Sequence, residues 1–125
     1  MFLSVAAQEE EKTLLHKKYR LTKRKQFNYI YRKGRSAHGD ILTLVWCGGN
    51  VRDVKVGFSA SKKVGNSVKR HRAVRLMREA VKPYLSRMAH NNSYIFIAQE
   101  GITAKHLDEV KAQVEKVLTK PGLLV

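Results

Sequence analysis

Between Lys62 and Arg78 the chain reads KKVGNSVKRHRAVRLMR, seven Lys and Arg in seventeen positions with no acid among them. Side chains of this type bind anions, and the forked guanidinium group matches the oxygens of a phosphate especially well. Wound at 3.6 residues per turn, Arg72, Arg75, Arg78 and Lys82 share one side of a helix, and Ala73, Val74, Leu76, Met77, Ala80 and Val81 share the other. One side can pack while the other holds a row of cations suited to the repeated phosphates of a nucleic acid. A solvated basic face is the plain alternative for a charge run. It is disfavoured because the segment carries no acid of its own to neutralise the row through i,i+4 pairs.

Groups that would catalyse are sparse by comparison. Nucleic-acid cleavage by a protein needs a carboxylate cluster for metal ions or an acid–base pair. The ten acids form no DxD group, and the five histidines (16, 38, 71, 90 and 106) are scattered. HxxxH and CxxC ligand spacings, the GxxxxGK[ST] phosphate loop and the GxGxxG turn do not occur. His71, between Arg70 and Arg72, is read as a polar contact or a packed ring rather than a general acid. The residues point to binding, with no metal site expected in the protein.

The composition agrees. A chain of 125 residues is one domain by size, and 43% hydrophobic content is that of a globular core rather than a disordered basic tail. A net charge of +15 repels itself in any compact state, which a polyanionic partner would relieve. A membrane surface is the rival polyanion. It is disfavoured, since no apolar run approaches a span of about 20 residues and the basic helix has no Trp or Phe beside it. Cys47 is the one cysteine and lies in an apolar run, where a small buried hydrophobe is expected. Met1 to Ala7 is too short for a signal h-region, so a cytoplasmic location is expected. Acid-free stretches at 12–39, with ten basic residues, and at 54–78 must share one domain.

Several elements must position these groups. Residues 1–16 are expected to be a flexible extension, and 17–125 a single domain. Thr22 is a candidate cap for a helix in which Phe27, Ile30 and Tyr31 recur at helical spacing before Gly34. Ile41–Cys47 and Val54–Ala60 read as strands, and Gly48-Gly49-Asn50 between them as a hairpin turn. A third strand near 58–62 is an alternative reading. Asn66 or Ser67 caps the basic helix, and Pro83 ends or kinks it. Tyr94–Ala98 reads as a strand. Thr103 is the expected cap of a last helix with Leu107, Val110, Val114, Val117 and Leu118 as its apolar stripe, closed by Pro121-Gly122. One sheet with helices packed on it is the economical architecture.

VGFSASKKVGNSVKRHRAVRLMREA, together with RLTKRKQFNYIYRKGRS, resembles the protein subunit of bacterial ribonuclease P. The resemblance spans roughly Tyr19 to Lys120. Lys62, Lys63, Gly65, Asn66, Val68, Arg70, Arg72, Arg75, Arg78 and Glu79 match the family signature SKKxGxAVxRNRxKRLxRE. Two positions depart from it: His71 stands where the family has Asn, and Val74 where it usually has Lys. The resemblance implies an α/β (α+β) two-layer sandwich of about four strands and three helices, with a left-handed βαβ crossover through the basic helix. It implies that the partners are ribonuclease P RNA and precursor tRNA, with no membrane and no protein partner required. It further implies that Mg2+ is held mainly by that RNA and the substrate, and that the RNA carries the chemistry.

By the same resemblance, Lys62, Lys63, Asn66, Lys69, Arg70, His71, Arg72, Arg75 and Arg78 are expected to face RNA. Lys23, Arg24, Phe27, Tyr31 and Val45 are expected to line a channel for the single-stranded 5′ leader, with Trp46 leaving the register at Val45 open. Plain helix core is the alternative for Phe27 and Tyr31. Two other functions compete: a basic ribosomal or RNA-chaperone module, which only the 58–79 signature disfavours, and a stand-alone nuclease, which the lack of an acid cluster disfavours.

Overall fold

The computed structural model describes residues 19–49 and 53–125, so the expected extension at 1–16 lies outside the described residues. In chain order the elements are α1 (Arg24–Lys33), β1 (Arg35–His38), β2 (Leu42–Gly48), β3 (Val54–Ala60), α2 (Ser67–Val81), a 3-10 segment (Lys82–Arg87), β4 (Asn92–Ala98), a 3-10 turn (Ile102–Ala104) and α3 (Leu107–Thr119). The sheet runs β1-β2-β4-β3, with β1, β2 and β4 antiparallel in turn and β3 parallel to β4. It is thus a four-stranded mixed sheet with three helices, and α2 is the crossover between the adjacent parallel strands β3 and β4.

Strand β4 explains this order. Tyr94, Ile95 and Phe96 are all fully buried, so successive side chains on both faces need cover, which a central strand alone receives. The hairpin expected at 48–50 is therefore not made: β4 lies between β2 and β3, pairing Leu42 with Ala98 on one side and Ala60 with Ala98 on the other. At the start of β4, Gly49 N–H donates to Asn91 O (2.9 Å) and Asn91 N–H donates to Asp53 O (2.7 Å).

Period-two alternation splits the sheet into two apolar layers. Leu42, Leu44, Val54, Val56, Tyr94 and Phe96 face Ala73, Met77, Ala80 and Val81 of α2, and Val110, Val114, Val117 and Leu118 of α3, in the main core. On the other face, Val45 and Ile95 meet Ile30 of α1 and Leu21 in a smaller cluster. Leu21 also donates its N–H to Val56 O (2.9 Å), which begins to cover the outer edge of β3.

Other boundaries differ from the sequence-based expectation for local reasons. The cap of α1 is Lys23, not Thr22, with the Lys23 N–H donating to Gln26 Oε1 (3.3 Å). β3 is a single strand to Ala60, and 62–64 form a turn rather than a further strand. Thr103 sits in the 3-10 turn, and α3 is capped at His106. β1 has only Ala37 buried. Cys47 is half-buried.

Two contacts fix the functional elements. Gly57 lets α1 approach β3, since a Cβ there would lie 2.5 Å from Phe27 Cζ and 3.2 Å from Leu21 Cβ. Before α2, Gly65 takes φ +145°, and Asn66 caps the helix by accepting from Lys69 N–H at 3.0 Å. Gly57→Ala is expected to push Phe27 off the sheet and cost about 1–3 kcal/mol, read as a lower denaturant midpoint. Asn66→Ala should cost about 1 kcal/mol and Asn66→Ser should restore most of it. Thermal unfolding checks this, and equal loss in both variants would mean that the cap contributes little.

Candidate nucleic-acid interface

The turn Ser61–Gly65 presents Lys62 and Lys63 to solvent on a fixed backbone. Val64 N–H donates to Ser61 O (3.0 Å), Gly65 N–H to Lys62 O (3.1 Å) and Lys63 N–H to Ser61 Oγ (3.3 Å), while the Val64 side chain is buried in the main core. Asn66 follows, its carboxamide oxygen already committed to the cap. Neither α1 nor α2 has an acid in its first turn. Lys23 and Arg24 at one N-terminus, and Lys69 and Arg70 at the other, therefore add positive charge where the helix dipole already favours anions.

Along α2 the burial is graded. Lys69, His71, Arg72 and Arg75 are exposed, whereas Arg70 and Arg78 are half-buried. Of the apolar side expected, Ala73, Met77, Ala80 and Val81 are buried, whereas Val74 and Leu76 are half-buried and Leu76 lines the groove beside Arg72 and Arg75. His71, Arg72, Arg75 and Glu79 line a groove with Val68 and Leu107, so an acid does stand near the row, and Glu79 also lies 4.0 Å from Lys82. The Arg78 guanidinium carbon sits 5.8 Å from the centroid of the Phe58 ring. Burial holds its pKa below the usual arginine value, and repulsion from Arg20 and then Arg75 acts in the same direction. Arg20 and Phe58 were outside the sequence-derived set. Nothing periodic connects them to α2; Phe58 meets it from β3, and Arg20 lies alongside that strand through its bridge to Val56.

The second surface lies on the α1 face of the sheet. Phe27 is half-buried against Gly57, and its ring centroid is 6.4 Å from that of Tyr31, which is 43% exposed. Tyr31 therefore offers a free ring, while Phe27 divides its surface between packing and solvent. Val45 faces this side, and Trp46 packs against the main core on the other. Val45 is only 9% exposed beneath Ile30 and supports α1 more than it lines a channel. Lys23 and Arg24 are exposed at the start of the same helix. Beside the aromatic pair, the register aligns Thr43, Ile97 and Ser59 in one row across three strands. Thr43 accepts a hydrogen bond from Gln99 Nε2 and lies 3.4 Å from His38 Nδ1. Sequence reasoning missed this row, polar at Thr43 and Ser59, because its members become neighbours only through strand pairing.

Among the described residues no three His, Cys, Asp or Glu side chains gather as a metal site, and no helix is long and apolar enough to cross a membrane. What the surfaces offer chemically is phosphate neutralisation on α2 and ring stacking on α1.

Known proteins share both the sequence and the fold. The Ribonuclease P family model matches residues 15–122. A ribonuclease P protein component of Clostridium botulinum is 32% identical over 108 residues, covering 86% of this chain and 97% of the relative. One from Exiguobacterium is 34% identical over 106 residues, covering 85% and 92%. The solved RNase P protein of Staphylococcus aureus superposes with a TM-score of 0.75 at 28% identity, covering 86% of this chain and 98% of that one. The RNase P protein of Thermotoga maritima, at 16% identity and a TM-score of 0.72, shares the fold. With the basic turn, the graded arginine row and the aromatic pair lying within the matched residues, the chain belongs to the ribonuclease P protein family.

Proposed function

We propose that the chain acts in the cytoplasm as the non-catalytic protein subunit of ribonuclease P, promoting removal of the 5′ leader from precursor tRNA. The observation that carries this reading is the pairing of an arginine row with a separate, partly exposed aromatic pair. Double-helical phosphates need only the first. An unpaired leader also needs the second, because unstacked bases bind by their π-faces.

Lys62, Lys63, Lys69, Arg70, Arg72, Arg75 and Arg78, with Asn66 and His71 among them, contact the catalytic RNA and nearby substrate phosphates. Tyr31 and the free part of Phe27 stack leader bases, and Lys23 and Arg24 hold the leader backbone at the N-terminus of α1. Val45 acts from beneath by keeping α1 in place. Mg2+, bound mainly by the RNA and the substrate, supplies the activated nucleophile and charge stabilisation for hydrolysis. The protein lowers the repulsion between two polyanions so that this chemistry proceeds at lower metal concentration.

Cleavage of a leader-bearing precursor tRNA by bacterial ribonuclease P RNA, with and without this chain at low magnesium, tests the reading. Stimulation that vanishes when the leader is cut to one or two nucleotides is expected. Tight RNA binding without stimulation would overturn the proposal in favour of a general RNA-binding module. Tyr31→Ala should weaken binding of the leader-bearing substrate by about 1–3 kcal/mol while leaving mature tRNA unaffected. Arg72→Ala should weaken RNA binding and reduce the salt-dependence slope by about one unit. An unchanged slope would make Arg72 a solvated bystander.

A further inference from the structure

α1 covers one row of its sheet face and leaves a row open on each flank. Beneath it Ile30 meets Val45 and Ile95, and Phe27 rests on Gly57, three positions that the register sets side by side on β2, β4 and β3. Thr43, Ile97 and Ser59 form the row beside Phe27 and Tyr31, and Cys47, Ser93 and Lys55 form the row on the opposite flank. There a cavity of about 210 Å3 opens between Leu21, Tyr29 and Ile30 on one side and Cys47 and Ser93 on the other, with exposed Lys25 at its border. Tyr29 is 37% exposed, and two residues of helix turn its ring to the flank away from Tyr31.

Ser93 is 5% exposed, lines this cavity, and its hydroxyl has no hydrogen-bond partner among the described residues. A buried hydroxyl left unbonded costs free energy that the polar edge of a ligand would recover. An apolar cavity of about 150 Å3 holds a benzene ring and drug-sized ligands need about 300–1,000 Å3, so 210 Å3 suits a single substituted ring. We propose that the cavity seats one unstacked base of a single-stranded RNA, at a site separate from the Phe27–Tyr31 pair. This occupant presupposes the RNA-binding role proposed above. Lys23, Arg24 and Lys25 are successive exposed cations at the start of α1, able to hold the phosphates on either side of such a base, and a free heterocycle would gain nothing from them. Tyr29 supplies the ring to stack on, and the Ser93 hydroxyl both donates and accepts, so the site takes any base.

Cys47 is the only cysteine of the chain and stands in the cavity wall, so its alkylation by iodoacetamide in the full chain reports occupancy. Single-stranded RNA of mixed sequence should slow the alkylation in a saturable way. An abasic ribose–phosphate oligomer of equal length, which offers the same phosphates and no rings, should leave the rate unchanged. Tyr29→Ala should raise the half-protecting RNA concentration by about five- to a hundredfold, the loss of one stacked base. Tyr29→Phe, which keeps the ring, should restore most of the protection, and Ser93→Ala should lose less of it than Tyr29→Ala.

Equal protection by the abasic oligomer, or the same half-protecting concentration in Tyr29→Ala and the unaltered chain, would overturn the proposal. Protection by free cytidine but not by RNA would do so too, and would make the cavity a small-molecule site. Fluorescence anisotropy of the RNA in the same samples separates this site from the function proposed above. Bound RNA with Cys47 still fully reactive would refute the base site and leave that function standing, whereas no RNA binding at all would refute both.

Discussion

The fold depends on β4 being buried on both faces. Tyr94 and Phe96 enter one layer and Ile95 the other, so helices must lie on both sides of the sheet. Once β4 takes the centre, β2 and β3 become its flanks. The connection from β3 must then return to a parallel neighbour, which needs a crossover element, and α2 is that element. The basic helix is therefore pinned by topology: its buried side is fixed on the main core, and the cationic residues occupy what remains. On the opposite face the ten residues of α1 leave part of the sheet open beside Tyr31. Both candidate surfaces follow from one strand's demand for cover.

Charge works against this arrangement. A net charge of +15 on a small domain opposes compaction, and the N-termini of α1 and α2 carry cations where the helix dipole disfavours them. The compensations are local ones. Asn66 caps α2, Arg32 and Lys33 sit favourably at the end of α1, and Asp108 and Glu109 open α3. α3 thus follows ordinary helix rules, and α2 departs from them. Such departures from local consistency are expected where function has competed with stability.

Legibility in the sequence followed the range of the interaction. The helix over 67–81, its Asn66 cap and its buried side were readable because they depend on residues three or four apart. The apolar strands were readable from their runs of β-branched and aromatic residues. Strand order was not: Gly48-Gly49 looks like a hairpin locally, and only the two-sided burial of β4 overrides it. β1 left little trace because a four-residue edge strand with one buried side chain has no period to detect. The same limit applies to the candidate site. Arg72 and Arg75 declare themselves by spacing, but Arg20 reaches the β3 edge only through a bridge to a distant strand. Val45 and Trp46 could be assigned to faces only once their partners were known.

The gradient of burial along α2 gives its arginines different capacities. An exposed arginine such as Arg72 or Arg75 keeps most of its rotamer freedom and can follow a phosphate over several ångströms, which favours affinity and fast encounter more than position. Arg78, half-buried over Phe58, keeps less of that freedom, so an anion bound there would be held in fewer positions. Three residues of helix separate Arg75 from Arg78, an axial rise of roughly 4.5 Å. Mobile and fixed cations thus stand within one turn of each other. On the proposed function, an RNA captured by the exposed arginines would reach Arg78 within one turn of helix. Position in this interface comes from burial, and attraction comes from exposure.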